Sequence, residues 1–407
     1  MDAPPAGDTA NTRPGPLSGV RVLDASTILA APMAATLLAE FGAEVIKIEQ
    51  PGEGDPLRSF RPLRRGQSLH WRITNRNKRS LTLDLRRPPG HSLFCRLVRH
   101  ADVVVVNFRP QTLRRLRLDY ADLKAVRDDL IMLHLSAFGR TGPYAERPGF
   151  ARIAEAFAGL AYLTGYPDRP PVFAGYPIAD GLAGIHGAFA IMLALRHRDR
   201  TGEGQLIDLA LYEPLLRLME DFVIAHGADG SVKERAGTAQ PNIAPNNLYP
   251  TEDGGFVVIP ASTEAIWRRL AALVDPALLE RYPSNEARLS HRDAIDAAIA
   301  GFTRSHPADA LVTLCAEAGI PCGKLNSARD IFADPQIAAR GNLQRVFDPS
   351  LGEWLTMQSP IPHCSTLAPA PVSPGPAAPG EHSAEILRDL LGIEAEEYDA
   401  LRAEGIV

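Results

Sequence analysis

The sequence predicts an α/β protein, with a parallel sheet crossed by helices in its first half and a separate α+β domain after it. Three observations lead there. Short apolar or β-branched runs alternate with helical patterns from Val20 to Ser136, the arrangement of strands buried on both faces. The character of the chain then changes after a polar stretch at 228–247. Finally, 407 residues that are 45% hydrophobic exceed what one compact core usually holds.

The elements follow in order. "VRVLDAS" (20–26) is a short apolar run, read as a buried strand, and "APMAATLLAEFG" (31–42) is a helix that stops at Gly42. "AEVIKIE" (43–49) is the next strand, "HSLFCRLVRH" (91–100) a helix and "ADVVVVNF" (101–108) a β-branched strand. "TLRRLRLDYADLKAV" (112–126) reads as one helix and "LIMLHLS" (130–136) as a strand. Right-handed crossovers place ligands beyond the carboxyl ends of such strands, here near 26–30, 49–54, 107–110 and 136–142. The apolar run Gly181–Leu195 is too short to span a bilayer and is read as a buried helix. In the second half, "YPTEDGGFVVIP" (249–260) is a hairpin turning at Asp253-Gly254, followed by helices over 262–274, 291–305 and 307–319. Pro and Ala dominate 365–380, as in an extended connector, before a last helix in "SAEILRDLLG".

Composition excludes some functions. With 43 basic against 48 acidic residues and a net charge of −5, nothing suggests nucleic acid or a membrane surface as partner. Residues 1–15 lack the apolar core of a secretion signal and read as a disordered leader. The four cysteines form no CxxC pair and read as reduced thiols of a cytoplasmic protein.

Common catalytic signatures (GxGxxG, P-loop, HExxH, GxSxG) are absent, and no metal site is expected. His134, His186 and Cys322 read as packing residues. Arg86, Arg109, Arg115 and Arg140 gather near the strand ends. They suit a nucleotide phosphate, or are surface solubilisers. The loop "GRTGPYAERPGF" (139–150) runs straight into a small-residue helix, a good place for a ligand and a catalytic side chain, yet its first position is Ala151.

At this point the chain resembles the class III (CaiB/BaiF-type) coenzyme A transferases. The resemblance lies in "PLSGVRVLDAS", "AAPMAATLLAEFGAEVIKIEQPGEGD", "NRNKRSLTLDLR", "ADVVVVNFRP", "GRTGPYAERPGF", "GYPIADGLAGIHGAFAIMLAL", "TGEGQLIDLALYE", "AGIPCGKLN" and "DPQIAARG". It implies a Rossmann-like large domain from both chain ends (16–226 and 336–407), a small domain (227–335) and an interlocked dimer. It also implies a CoA site: Ile28 and Leu29 line it, Arg86, Asn107, Phe108, Arg109 and Arg115 flank the nucleotide, and Ser136, Ala137, Phe138 and Gly139 approach the pantetheine arm. Gln50 departs from relatives that carry arginine there.

The family mechanism implied is covalent: an aspartate attacks an acyl-CoA thioester, and CoA passes through anhydrides to an acceptor carboxylic acid. That aspartate belongs where this chain has Ala151. Four readings stay open. The chain is a non-catalytic subunit paired with an aspartate-bearing homologue, the reading preferred; or an Asp-to-Ala variant of a homodimer; or an enzyme whose carboxylate has moved to Glu155, one helical turn on; or a CoA-binding regulatory module without turnover. Arg140, where relatives often have glutamine, either holds a substrate carboxylate or marks a loss of constraint.

Overall fold

The computed structural model describes residues 15–407, so the expected leader lies, Gly15 apart, outside the described residues. They divide into two units. One runs to Leu160 and resumes over Ala174–Val223 and Gly341–Val407; the other comprises Ala161–Phe173 and Ile224–Arg340.

The first unit is built on β1 (Arg21–Asp24), α1 (Ala30–Ala39), β2 (Glu44–Glu49), β3 (Lys78–Thr82), α2 (Pro88–Val98), β4 (Val103–Val106), α3 (Pro110–Leu116), α4 (Tyr120–Lys124), β5 (Ile131–Ser136), α5 (Ala151–Phe157), α6 (Ile178–Thr201) and β6 (Leu206–Ala210). The strands form one parallel sheet in the order β3-β2-β1-β4-β5-β6. The order reverses between β1 and β4, which opens a crevice at the carboxyl edge of the sheet.

Two departures from the sequence reading have local causes. The helix expected over 112–126 breaks in two, because Arg117 turns left-handed (φ 52°) and Asp119 starts α4 with a capping box to Asp122. The edge strands β3 and β6 escaped notice because Lys78, Arg79 and Asp208 interrupt their apolar pattern.

One face of the sheet is covered by α2 and by the returning end of the chain, whose Ile386, Leu387, Ile393 and Ile406 join Leu23, Ile46, Leu81, Phe94 and Val104 in one core. On the other face α1 packs against α6. The approach is close enough that a Cβ on Gly184 would lie 2.9 Å from the carbonyl oxygen of Ala30. Helix α6 is therefore buried along one face only. Ile185, Phe189, Met192 and Leu193 stand exposed on it, so the expected buried helix is buried only on the face toward α1 and the sheet. Among the described residues it is the one helix long and apolar enough to cross a membrane, by length and composition alone.

The second unit has an antiparallel sheet of Asn246–Pro250, Phe256–Pro260 and Gly323–Lys324, its first two strands forming the expected hairpin. Helices Glu264–Val274, Arg292–Thr303 and Ala308–Glu317 close a core around Tyr249, Trp267, Ile295, Ile299 and Leu311. Cys322 packs against this core, consistent with a structural thiol.

Candidate functional site

The crevice at the strand-order reversal holds a cavity of about 320 Å³. Thr27 to Ala30 after β1, Asn107 to Arg109 after β4, Leu135 to Ala137 at the end of β5, Arg147 to Phe150 and Asp180 line it. A second cavity of about 230 Å³ shares Thr27, Phe108 and Thr112 with the first and is walled by Gln50, Leu83, Leu85, Arg86 and Arg115. Both lie within the first unit.

The floor of the first cavity is held in an unfavourable conformation. Ile28 has φ 70°, a region in which a β-branched residue is strained by about 1–3 kcal/mol. Its N–H donates to both carboxylate oxygens of Asp55, at 3.2 Å each. The Asn107 side chain clamps the neighbouring Thr27, accepting from its N–H (2.9 Å) and donating to its carbonyl (2.8 Å).

Asp55 is itself held by Lys47, whose Nζ lies 3.1 Å from Asp55 and 3.8 Å from Asp24, and Lys78 reaches Asp24 at 2.8 Å. All four side chains are buried. Burial opposes the charge on Lys47, but Asp24, Asp55 and Glu49 outweigh it and hold the ammonium above its ordinary range. Burial pushes Lys78 down to about 8. Asp24 is held low against its own burial by the two lysines. A buried ion network thus carries the loop that lines the cavity.

The glycine loop is built from β5. Ser136 Oγ accepts the N–H of Gly139 at 3.0 Å, and Gly139 turns with φ 81°. Gly149 comes so close to this loop that a Cβ there would lie 2.8 Å from Cβ of Ala137. Phe138 lines neither cavity; its ring packs edge-on against Phe157 at 5.3 Å. Gly139 also stands off both walls.

Arg140 does not reach the site. Its guanidinium binds Asp119 (2.6 Å) and Nδ1 of His134 (3.0 Å), while the His134 Nε2–H donates to the carbonyl of Phe108 (2.7 Å). Burial lowers the His134 pKa, in keeping with a neutral ring. Arg140 is therefore a strut, and the expectation that it holds a substrate carboxylate does not fit its place. Arg86 lies on the second cavity with its Nε 2.9 Å from Asp84. Arg109 lines the first cavity and Arg115 the second.

Ala151 begins α5, directly after the wall residues Gly149 and Phe150, and is 5% exposed. Glu155, four residues on, is buried and lines neither cavity. Its Oε1 faces the N–H of Ala179 at 3.5 Å, in the first turn of α6, and its Oε2 lies 3.7 Å from Arg152. The next residue of α6, Asp180, does reach the cavity wall. Its carboxyl is pushed up to about 6 by burial and by the charge of Glu155. Sequence reasoning missed Asp180, because an acid in the first turn of a helix is ordinary. Its one signal was being the lone acid in the uncharged run "YPIADGLAG". The first cavity thus offers a carboxyl group and two cations, Arg109 and Arg147, to a ligand.

Comparison with known proteins places this geometry. Residues 17–383 match the model of CoA-transferase family III. The chain is 42% identical over 398 residues to the succinyl-CoA–D-citramalate CoA-transferase of Chloroflexus aurantiacus, covering 97% of this chain and 98% of the relative. It is 40% identical to the β subunit of the succinyl-CoA–L-malate CoA-transferase of the same organism, over 96% of this chain and 98% of that one. A CaiB/BaiF family protein from Brucella suis superposes with a TM-score of 0.83 at 35% identity, covering 93% of this chain and all of the other. Sequence, sheet order and strand-end cavities together make the chain a member of family III of the CoA-transferases.

Proposed function

We propose that the chain binds an acyl-CoA across the two strand-end cavities, as a subunit of a transferase that moves CoA from a succinyl-CoA-type donor to a small carboxylic acid. The observation that carries this is the shared wall of the cavities. The nucleotide would lie by Arg86, Arg109 and Arg115, and the pantetheine arm would run past Ile28, Leu29, Ser136 and Ala137 toward Gly149 and Phe150. The cations on the walls suit phosphates and an oxyanion. The donor is proposed because two relatives of about 40% identity carry succinyl-CoA in their names. The place of work proposed is the cytoplasm.

A methyl group at 151 cannot attack a thioester. In the reading preferred from the sequence, this chain is the non-catalytic partner of a homologous subunit bearing aspartate at that position. A relative named as a β subunit supports it, and so does the exposed apolar face of α6, which suits cover by a second chain in an interlocked dimer. A second reading, that this chain carries its own carboxylate, is favoured by Asp180 on the cavity wall.

The test is calorimetric titration of the purified chain with CoA and succinyl-CoA, with and without co-purified homologues. Saturable binding supports the reading, and absence of binding in every combination refutes it. A near-size partner with aspartate after "GF" that brings activity to an inactive chain supports the heteromer.

A further inference from the structure

We propose that Asp180 is the carboxylate that takes up the acyl group in this chain, with Glu155 as its positioning residue. The inference rests on the CoA-transferase reading above and departs from the heteromeric one.

Three observations carry it. Asp180 is an acid on the wall of the cavity that Gly149 and Phe150, directly before position 151, also line. Among the described residues its carboxylate has no hydrogen-bond or ion-pair partner, so its oxygens are uncommitted. Glu155 is buried and its Oε1 lies 3.5 Å from the Ala179 N–H, one residue before Asp180 on the same helical turn. That contact ties α5 to the first turn of α6, the turn that carries Asp180. Burial and the nearby charge of Glu155 both oppose ionisation of the Asp180 carboxyl, which works against stability. Groups held at such a disadvantage cluster at functional sites.

The chemistry balances without any further reactant. An Oδ of Asp180 attacks the thioester carbonyl carbon; the C–S bond breaks, CoA leaves as thiolate, and an acyl–aspartyl anhydride remains. The thiolate attacks the Asp180 carbonyl carbon of the anhydride and releases the donor carboxylate, leaving an aspartyl–CoA thioester. The acceptor carboxylate attacks that thioester, forming a new anhydride and freeing the thiolate. Attack of the thiolate on the acceptor acyl carbon yields the new acyl-CoA and restores the Asp180 carboxylate. No proton is gained or lost overall.

The test uses the full-length chain alone with succinyl-CoA and isotopically labelled succinate, following exchange of label into the thioester. The wild-type chain is expected to exchange, and Asp180→Asn to lose ~10³-fold or more in rate while binding CoA as before. Glu155→Gln is expected to lower kcat with KM for succinyl-CoA little changed, as expected of a group that only positions Asp180. Hydroxylamine added during turnover of the wild-type chain is expected to leave a hydroxamate at Asp180 in the peptide map; this readout needs no variant to fold. A hydroxamate at Glu155 instead, or undiminished exchange in Asp180→Asn, overturns the proposal. A wild-type chain that binds succinyl-CoA but exchanges nothing until an aspartate-bearing homologue is added also overturns it and leaves the heteromeric reading. A chain that binds no CoA ester overturns the transferase reading beneath both.

Discussion

Replacing Lys47 by methionine removes the cation that holds the cavity floor, and the geometry sets the size of the effect. Nζ lies 3.1 Å from Asp55 and 3.8 Å from Asp24, with all three side chains buried. At an effective dielectric of about 20 these distances correspond to attractions of about 5 and about 4 kcal/mol. Removing the lysine also removes its own desolvation penalty, so the net loss falls to about 3–5 kcal/mol, the usual effect of stranding a buried partner charge. Two Asp55 interactions remain, with the N–H groups of Ile28 and Leu57, but a carboxylate without its cation must take up a proton or turn away. Either change weakens its grip on Ile28, whose left-handed backbone then relaxes. Binding must restore it, at up to about 1–3 kcal/mol. Lys47→Met is therefore expected to lower Tm by roughly 6–10 °C and to weaken CoA binding by about 5- to 150-fold. Thermal unfolding followed by circular dichroism and calorimetric titration with CoA read the two effects. A variant with wild-type Tm and wild-type affinity would show that the ion network does not support the site.

The other expectations concern the helix junctions and the acid on the wall. Asp180 has its folded pKa raised to about 6 from 3.8, so its proton is held more tightly in the folded chain. The stability it confers is present below pH 3.8 and is lost as pH rises through about 6. Asp180→Asn should thus be more stable than wild type at neutral pH, with the gain vanishing near pH 4 in urea titrations. Exchange activity should rise with pH through about 6; Arg109 and Arg147 are the cations lining the cavity, and the buried Glu155 is the charged neighbour that acts on Asp180. Adding Ala151→Asp to Asp180→Asn should recover part of the lost exchange, because the family position then supplies a carboxylate; no recovery would mean that position 151 cannot reach the thioester. Gly184→Ala sets a methyl 2.9 Å from the Ala30 carbonyl and should destabilise the fold by about 1–3 kcal/mol, measured by urea unfolding, while loosening a residue that lines the cavity.

What the sequence made legible follows the physics of each segment. The central strands read clearly because Leu23, Ile46, the four valines of β4 and Met132 are apolar on both faces. The edge strands did not, because Lys78 and Asp208 are paid no attention by an apolar pattern and find their partners only in three dimensions, at Asp24 and at the Gly139–Arg140 turn. The cavity wall was legible as loops at strand ends: Ile28, Leu29, Asn107 to Arg109, Ser136 and Ala137 all line it. Arg140 misled because its charge was visible and its partners, Asp119 and His134, were not. Glu155 drew attention by its spacing from Ala151, yet its burial against Ala179 turns it to the next helix, and the acid that reaches the cavity lies 25 residues further along the chain, at Asp180.

The most direct measurement is a crystal structure of the chain soaked with CoA. The nucleotide is expected along Arg86 and Arg115, with the thiol ending within contact distance of Phe150 and Asp180. Density for CoA elsewhere on the molecule, or a thiol pointing away from the 149–151 junction, would contradict the assignment of these cavities as the transfer site.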